Sequence, residues 1–127
     1  MTANAAFQKF TKETYLNLET YRKSGQEMRT PVWFIAADEK LYIRTVDNSG
    51  KVKRIRRNPV VKVAPCEAQG KLKGEWVDGT ASLISGEKAE EINRLLNKKY
   101  GLLKYFLDFT SRLRGYQYTT IMVELSA

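Results

Sequence analysis

The sequence predicts a mainly β fold of the α+β class: an antiparallel barrel of six strands with short helices at its ends or edges. Three observations carry this. Six segments show either period-two alternation or a short apolar run bounded by turn residues. Most successive strands are linked by tight, hairpin-length turns. No regular strand–helix alternation and no G-x-G-x-x-G occurs, which argues against a doubly wound parallel sheet.

The elements follow in order. Asn4 to Lys12 reads as a short helix with Ala6, Phe7 and Phe10 on one side. Leu16 and Leu18 alternate with Asn17 and Glu19, the pattern of a strand. Lys23 to Gln26 is a turn. Met28 to Ala37 is the second strand, with the apolar run Val32 to Ile35 between Pro31 and Asp38. Asp38-Glu39 turns the chain, and Leu41 to Val46 returns as the third. Asp47 to Gly50 is a turn and a helix start, with Asn48 or Ser49 as N-cap. Lys51 to Arg57 then reads as a helix. Val52 and Ile55 share one face, while Lys53, Arg54 and Arg57 point away. Asn58-Pro59 stops it. Val60 to Cys66 and Trp76 to Ile84 are the next strands, around a loop at Gly70 and Gly74. Ser85 caps a helix with Glu87, Glu90 and Glu91 near its positive end. Gly101 breaks it, Leu102 to Leu113 forms a further helix, and Tyr118 to Leu125 is the last strand.

Length and composition bound the function. The 127 residues fit one domain, 1–127, and 43% hydrophobic content supplies a core. A chain this short buries a limited share of its surface, so a homodimer is expected. The net charge of +8 points to an acidic partner: a phosphorylated cofactor, nucleic acid or an anionic surface. The one cysteine, Cys66, cannot form an intrachain disulfide, which suits a reducing compartment. Met1 to Lys12 lacks the apolar stretch of a signal peptide, and no apolar run is long enough to span a bilayer. A cytoplasmic location is expected. With no histidine, Ser-His-Asp triads and His-ligated metals are excluded within the chain. An enzyme of this composition needs a borrowed cofactor for the hard step.

Three segments could carry chemistry. Five of the seven residues from Lys51 to Arg57 are basic, and they follow a glycine turn at a helix start. Free N–H groups and the helix dipole favour an anion there, and Lys and Arg add charge-assisted bonds. A phosphate site and a solvated basic face both remain open. The strand Thr30-Pro31-Val32-Trp33-Phe34, paired by hairpin with Leu41 to Thr45, contains a proline, which demands an edge or a bulge. An edge leaves backbone groups free to meet a flat ring, although Trp33 and Phe34 point to opposite faces. Ordinary barrel core is the rival reading. In Val63-Ala64-Pro65-Cys66 the cysteine reads as a small buried hydrophobe. Tyr100, Tyr105, Phe106 and Phe109 read as core or dimer contacts. Arg112, Arg114, Tyr116 and Tyr118 sit around the start of the last strand; a solvated loop is the default reading and contact with an anionic ligand tail the alternative.

Together, Thr30 to Phe34, Thr45, Ser49 to Pro59, Val63 to Cys66 and Gly79-Thr80-Ala81 resemble the pyridoxamine 5'-phosphate oxidase-like FMN-binding split-barrel superfamily. The spelling is closest to its small deazaflavin-dependent oxidoreductase branch. The resemblance is good from Thr14 to Ile84 and looser elsewhere. It implies a six-stranded antiparallel split barrel and a homodimer with cofactor sites at the interface. It also implies the backbone of Thr30, Pro31, Val32 and Trp33 beside the ring, and Thr45, Ser49 and Lys51 near the phosphate. Lys53 and Arg56 are weaker candidates for the same role. The sequence departs from pyridoxamine phosphate oxidases in having Thr30 and Gly50 where they carry arginines, and in lacking their C-terminal Arg/His motif. This disfavours oxidation of vitamin B6 phosphates, and the absence of histidine disfavours His-ligated haem.

The resulting expectation is an oxidoreductase that transfers a hydride between a bound cofactor and a small organic acceptor. The cofactor is the deazaflavin coenzyme F420, which the basic surplus favours, or FMN. No metal is expected. The alternatives are a non-catalytic carrier of the same fold and a basic nucleic-acid-binding barrel. The last is disfavoured because the basic run is not interleaved with stacking residues.

Overall fold

A computed structural model describes residues 3–113 and 117–126. The order of elements is α1 (Ala3–Gln8), β1 (Tyr15–Tyr21), β2 (Glu27–Trp33), β3 (Ile35–Ala37), β4 (Lys40–Val46), α2 (Gly50–Arg57), β5 (Val60–Cys66), β6 (Val77–Ile84), α3 (Glu87–Leu113) and β7 (Tyr118–Leu125). The strands form one antiparallel sheet in the order β2-β1-β5-β6-β7-β4-β3.

Chain connectivity makes this sheet curl. A flat sheet of seven strands would hold its edges roughly 29 Å apart. Yet the edges, β2 and β3, are consecutive in the chain and separated by Phe34 alone. Two Cα steps span at most about 7.6 Å. The sheet therefore bends into a half-barrel until its edges approach each other.

This division corrects two expectations. Six strands become seven because the segment read as Met28 to Ala37 changes partner at Phe34. Thr30 to Trp33 does not form a hairpin with Leu41 to Thr45. It pairs with β1, Thr30 opposite Leu18 and Trp33 opposite Tyr15. Only β3 pairs with β4, from Ile35 opposite Tyr42 to Ala37 opposite Lys40. Pro31 falls on an edge strand, as its missing N–H requires.

At the seam, α3 supplies what no strand does. The Phe34 N–H donates to Tyr100 Oη at 3.0 Å, and the Phe34 carbonyl accepts from Lys99 Nζ at 2.9 Å. Tyr100 has one hydroxyl proton, and the Thr14 carbonyl, at 2.7 Å, is its closest acceptor. The Phe34 ring is fully buried, edge-on to Phe10 with centroids 6.2 Å apart.

The sheet is covered on both faces. Leu16, Leu18, Phe34, Leu41, Ile43, Val61, Val63, Ile121 and Val123 fill its concave side, joined by Phe7, Phe10 and Ile55. On the other face Ile35 and Tyr42 pack with Ile92 and Leu96 of α3, with Trp33 and Tyr100 at the margin. Trp33 and Phe34 thus face opposite ways, as alternation demands. Asn17 and Glu19, read as the polar side of β1, are buried too, at 6% and 4% exposure. α1 ends at Gln8, short of the expected Lys12. Helical geometry in α3 is interrupted at Gly101, whose φ of 58° suits glycine. Tyr105, Phe106, Phe109, Arg112, Arg114 and Tyr116 lie outside the residues whose side chains are described.

Two predictions follow from these local geometries. Tyr100→Phe removes the acceptor of a buried N–H, so urea unfolding should show a loss of about 1–3 kcal/mol. The two-residue turn between β3 and β4 has positive φ at both Asp38 (54°) and Glu39 (61°), a conformation that suits Asn-Gly. Glu39→Gly relieves left-handed strain and should raise stability by roughly 0.5–1 kcal/mol, read as a higher Tm.

Candidate functional site

The basic segment folds as expected, but its cations have different destinations. Ser49 is the N-cap of α2; its hydroxyl accepts from the Val52 N–H at 3.4 Å. Val52 and Ile55 are buried, and the first turn holds no acid. The arginines fulfil the expectation of pointing away only in part. Arg54 turns back on β1, donating from Nε to Thr20 Oγ1 at 2.7 Å. Arg57 donates to the Tyr21 carbonyl at 2.7 Å. The reason lies in the tertiary packing: α2 rests against β1, whose last residues offer acceptors to side chains that helical spacing alone sends outward. Arg56 faces Asp47 across an exposed pair at 3.7 Å, and Lys53 is exposed.

Lys51 is different. It is only partly exposed, and among the described residues no acid pairs with it. Burial pushes its pKa down, and the Arg54 guanidinium adds repulsion in the same direction. Gly50 permits the crowding: a Cβ there would lie 2.7 Å from Arg54 Nη1. The start of α2 therefore gathers Lys51, Arg54 and the first N–H groups of a helix whose first turn holds no acid.

The other expected residues have definite places. Thr45 is 9% exposed, opposite Thr119 in the ladder and on the same side of β4 as Leu41 and Ile43. Thr30 and Val32 share the concave face with their partners Leu18 and Leu16. Thr20, which holds Arg54, pairs with Met28, so Thr30 is its diagonal neighbour, a separation of roughly 7–8 Å for such positions. The register thus places Thr30 on the same face of the sheet as Thr20, one position removed from the residue that holds Arg54. Pro31 and Trp33 lie on the other face. Trp33 stacks on Tyr100 with centroids 4.6 Å apart and planes 15° apart. A Cβ at Gly70 would sit 3.4 Å from Pro31 Cγ, so a loop covers that side. Neither side chain is directed with Thr30.

Sequence reasoning missed Lys99. Its Nζ sits 3.8 Å from the centroid of the Phe34 ring and bonds the Phe34 carbonyl. Burial pushes its pKa down to about 8, with Glu13 pulling weakly the other way. Its sequence neighbours give no sign of this role, since Phe34, whose carbonyl it binds, lies 65 residues away. Cys66 is buried, and burial, then Glu13, raises its pKa; it is a core thiol, not a poised thiolate. Among the described residues no cluster of three His, Cys, Asp or Glu could hold a metal. No helix there is long and apolar enough to cross a membrane.

A curled antiparallel half-barrel with flanking helices defines a split-barrel protein. The chain belongs to the pyridoxamine 5'-phosphate oxidase family, whose model matches residues 3–123. No curated protein matches it. Among solved structures it is similar to the heme storage protein HutZ of Vibrio cholerae, at 15% identity and a TM-score of 0.72, covering 100% of this chain and 92% of that one. It is similar to an FAD-binding protein of Mesorhizobium loti, at 19% identity and a TM-score of 0.64, covering 100% and 90%. It is also similar to an F420 reductase, at 16% identity and a TM-score of 0.61, covering 94% and 92%. At these identities the likeness is one of fold.

The lysine at the seam gives a pH prediction. The folded pKa of Lys99, about 8, lies below its ordinary 10.5. Between these values the unfolded chain holds more protons than the folded one. Raising the pH through that window therefore favours the folded state. Lys99→Met should flatten this rise, as measured by urea unfolding at a series of pH values. An unchanged slope would show that Lys99 does not titrate in the fold.

Proposed function

We propose that this protein binds a phosphorylated flavin-type cofactor, the deazaflavin coenzyme F420 or FMN, and acts as an oxidoreductase on a small organic acceptor. The observation that carries this is the half-buried Lys51, beside Arg54 at the acid-free first turn of α2 and without an acid partner among the described residues. Sequestering two cations together costs free energy unless an anion joins them. A phosphate is a chemical fit: Lys51 and Arg54 give charge-assisted bonds, and the first amides of α2 give dipolar ones. Family membership and the flavin- and deazaflavin-related names among proteins of similar fold support the same class of ligand.

In this reading Lys51 and Ser49 hold the phosphate, and Thr45 borders it. Lys53 and Arg56 stay at its margin. The edge of β2 from Thr30 to Trp33 offers backbone groups to the ring, with Thr30 and Val32 on the side nearest Arg54. Such a ring, when bound, supplies hydride transfer, while the chain supplies placement and exclusion of water. The reading includes a homodimer with the cofactor at its interface, because the exposed edge of β2 is a one-sided wall. The net charge of +8 favours the more anionic deazaflavin, whose tail adds carboxylates. A haem held by histidine is incompatible with a chain that has none.

Fluorescence titration with FMN and with the oxidised and reduced deazaflavin tests the reading. Saturable binding of either is expected, with Lys51→Ala weakening it by roughly tenfold to a hundredfold, the equivalent of about 1.5–3 kcal/mol. Affinity should fall as the pH rises through the lowered pKa of Lys51, because its cationic form makes the contact. Equal affinity in wild type and variant would remove Lys51 from the site. Turnover with a screened acceptor separates an enzyme from a carrier.

A further inference from the structure

Two uncharged residues, one on each side of Arg54, fix where its guanidinium lies. Long helical side chains lean toward the helix N-terminus, so residue 54 covers the turn that begins at residue 50. Here the guanidinium lies directly against that turn. A Cβ at Gly50 would sit 2.7 Å from Arg54 Nη1, 3.5 Å from Cζ and 3.6 Å from Nη2. Gly50 thus leaves open the space that the guanidinium fills. Its φ is not in the left-handed region, so the backbone does not call for glycine, and alanine is the better helix former. The guanidinium is what requires it.

On the other side stands Thr20 of β1, 1% exposed, whose Oγ1 accepts from Arg54 Nε at 2.7 Å. A planar fork held at Nε has its orientation set and keeps its Nη1–Nη2 end for a second partner. Among the described residues no acid pairs with Arg54. Burial, then the charges of Arg22 and Arg57, disfavours its cationic form. Its own charge in turn presses on Lys51. The guanidinium is therefore held beside Lys51 against repulsion from three other cations.

On the reading that α2 binds a phosphate, we infer that Gly50 and Thr20 are positioning residues for it. Thr20 aims Arg54, and Gly50 gives its guanidinium room beside the first turn, so that Arg54 joins Lys51 as the second cation on the phosphate. The end of the fork matches two oxygens of one phosphate, a feature common to FMN and the deazaflavin. A role confined to tying α2 onto β1 would affect the fold and every ligand alike; positioning affects the phosphate alone.

Fluorescence titration of the full chain with FMN and the deazaflavin, and with the phosphate-free form of each ring, separates the two. Gly50→Ala sets a Cβ against the end of a flexible side chain, so Tm should hold or rise while binding of the phosphorylated ligand weakens roughly tenfold. Thr20→Val keeps the side-chain shape and removes the acceptor, and should weaken that binding by a similar factor. Added to Arg54→Gln it should weaken it no further, because its effect passes through Arg54. In both single variants the affinity ratio of the phosphorylated to the phosphate-free ligand should fall. An unchanged ratio in either would overturn the inference, whether both affinities hold or both drop together. If Lys51→Ala still weakens binding in that case, the α2 reading stands without it. No binding of FMN or the deazaflavin by the wild type would overturn both.

Discussion

The structure depends on how one residue, Phe34, is satisfied. It joins the two edges of a single sheet, so its backbone leaves one ladder before entering another. Buried amides and carbonyls need partners, and here no strand provides them. Tyr100 and Lys99 accept from and donate to that peptide, while Trp33 stacks on Tyr100 and Phe34 fills the concave core. The same few atoms hold the curl closed, dock α3 and fix which face each residue of β2 presents. If the seam failed, β2 would lose the register that sets Thr30 diagonal to Thr20, the acceptor of Arg54.

Much of this architecture was legible along the chain. Alternation at Leu16 and Leu18, the turn residues and the caps mark elements whose causes are local. Pro31 announces an edge, because proline cannot donate to a ladder. The change of partner at Phe34 has no local cause. Val32 to Ile35 reads as one apolar run because both faces of the sheet are covered there, and hydrophobicity cannot tell which neighbour each residue has. For the same reason Asn17 and Glu19 read as a wet face and lie buried. The candidate site divides in the same way. A capped helix start with a lysine beside it is visible in Ser49-Gly50-Lys51. That Arg54 and Arg57 turn inward is not, since their acceptors belong to β1. Lys99 was invisible for the same reason.

The fate of these cations explains more than the fold. Arg54, Arg57 and Lys99 bind a hydroxyl and two backbone carbonyls, not carboxylates. A dipole satisfies the hydrogen bonds of a cation without neutralising it as a carboxylate would. The sheet thus anchors its helices through positive groups. At α2 the Arg54 charge acts on Lys51, which burial already places at a disadvantage in its charged form. An acid within the chain would have been the direct remedy, and the first turn of α2 has none. A protein selected for stability alone would gain from neutralising that corner. A phosphate, as proposed for this site, would supply that negative charge, and the cost of gathering the cations would then contribute to its affinity.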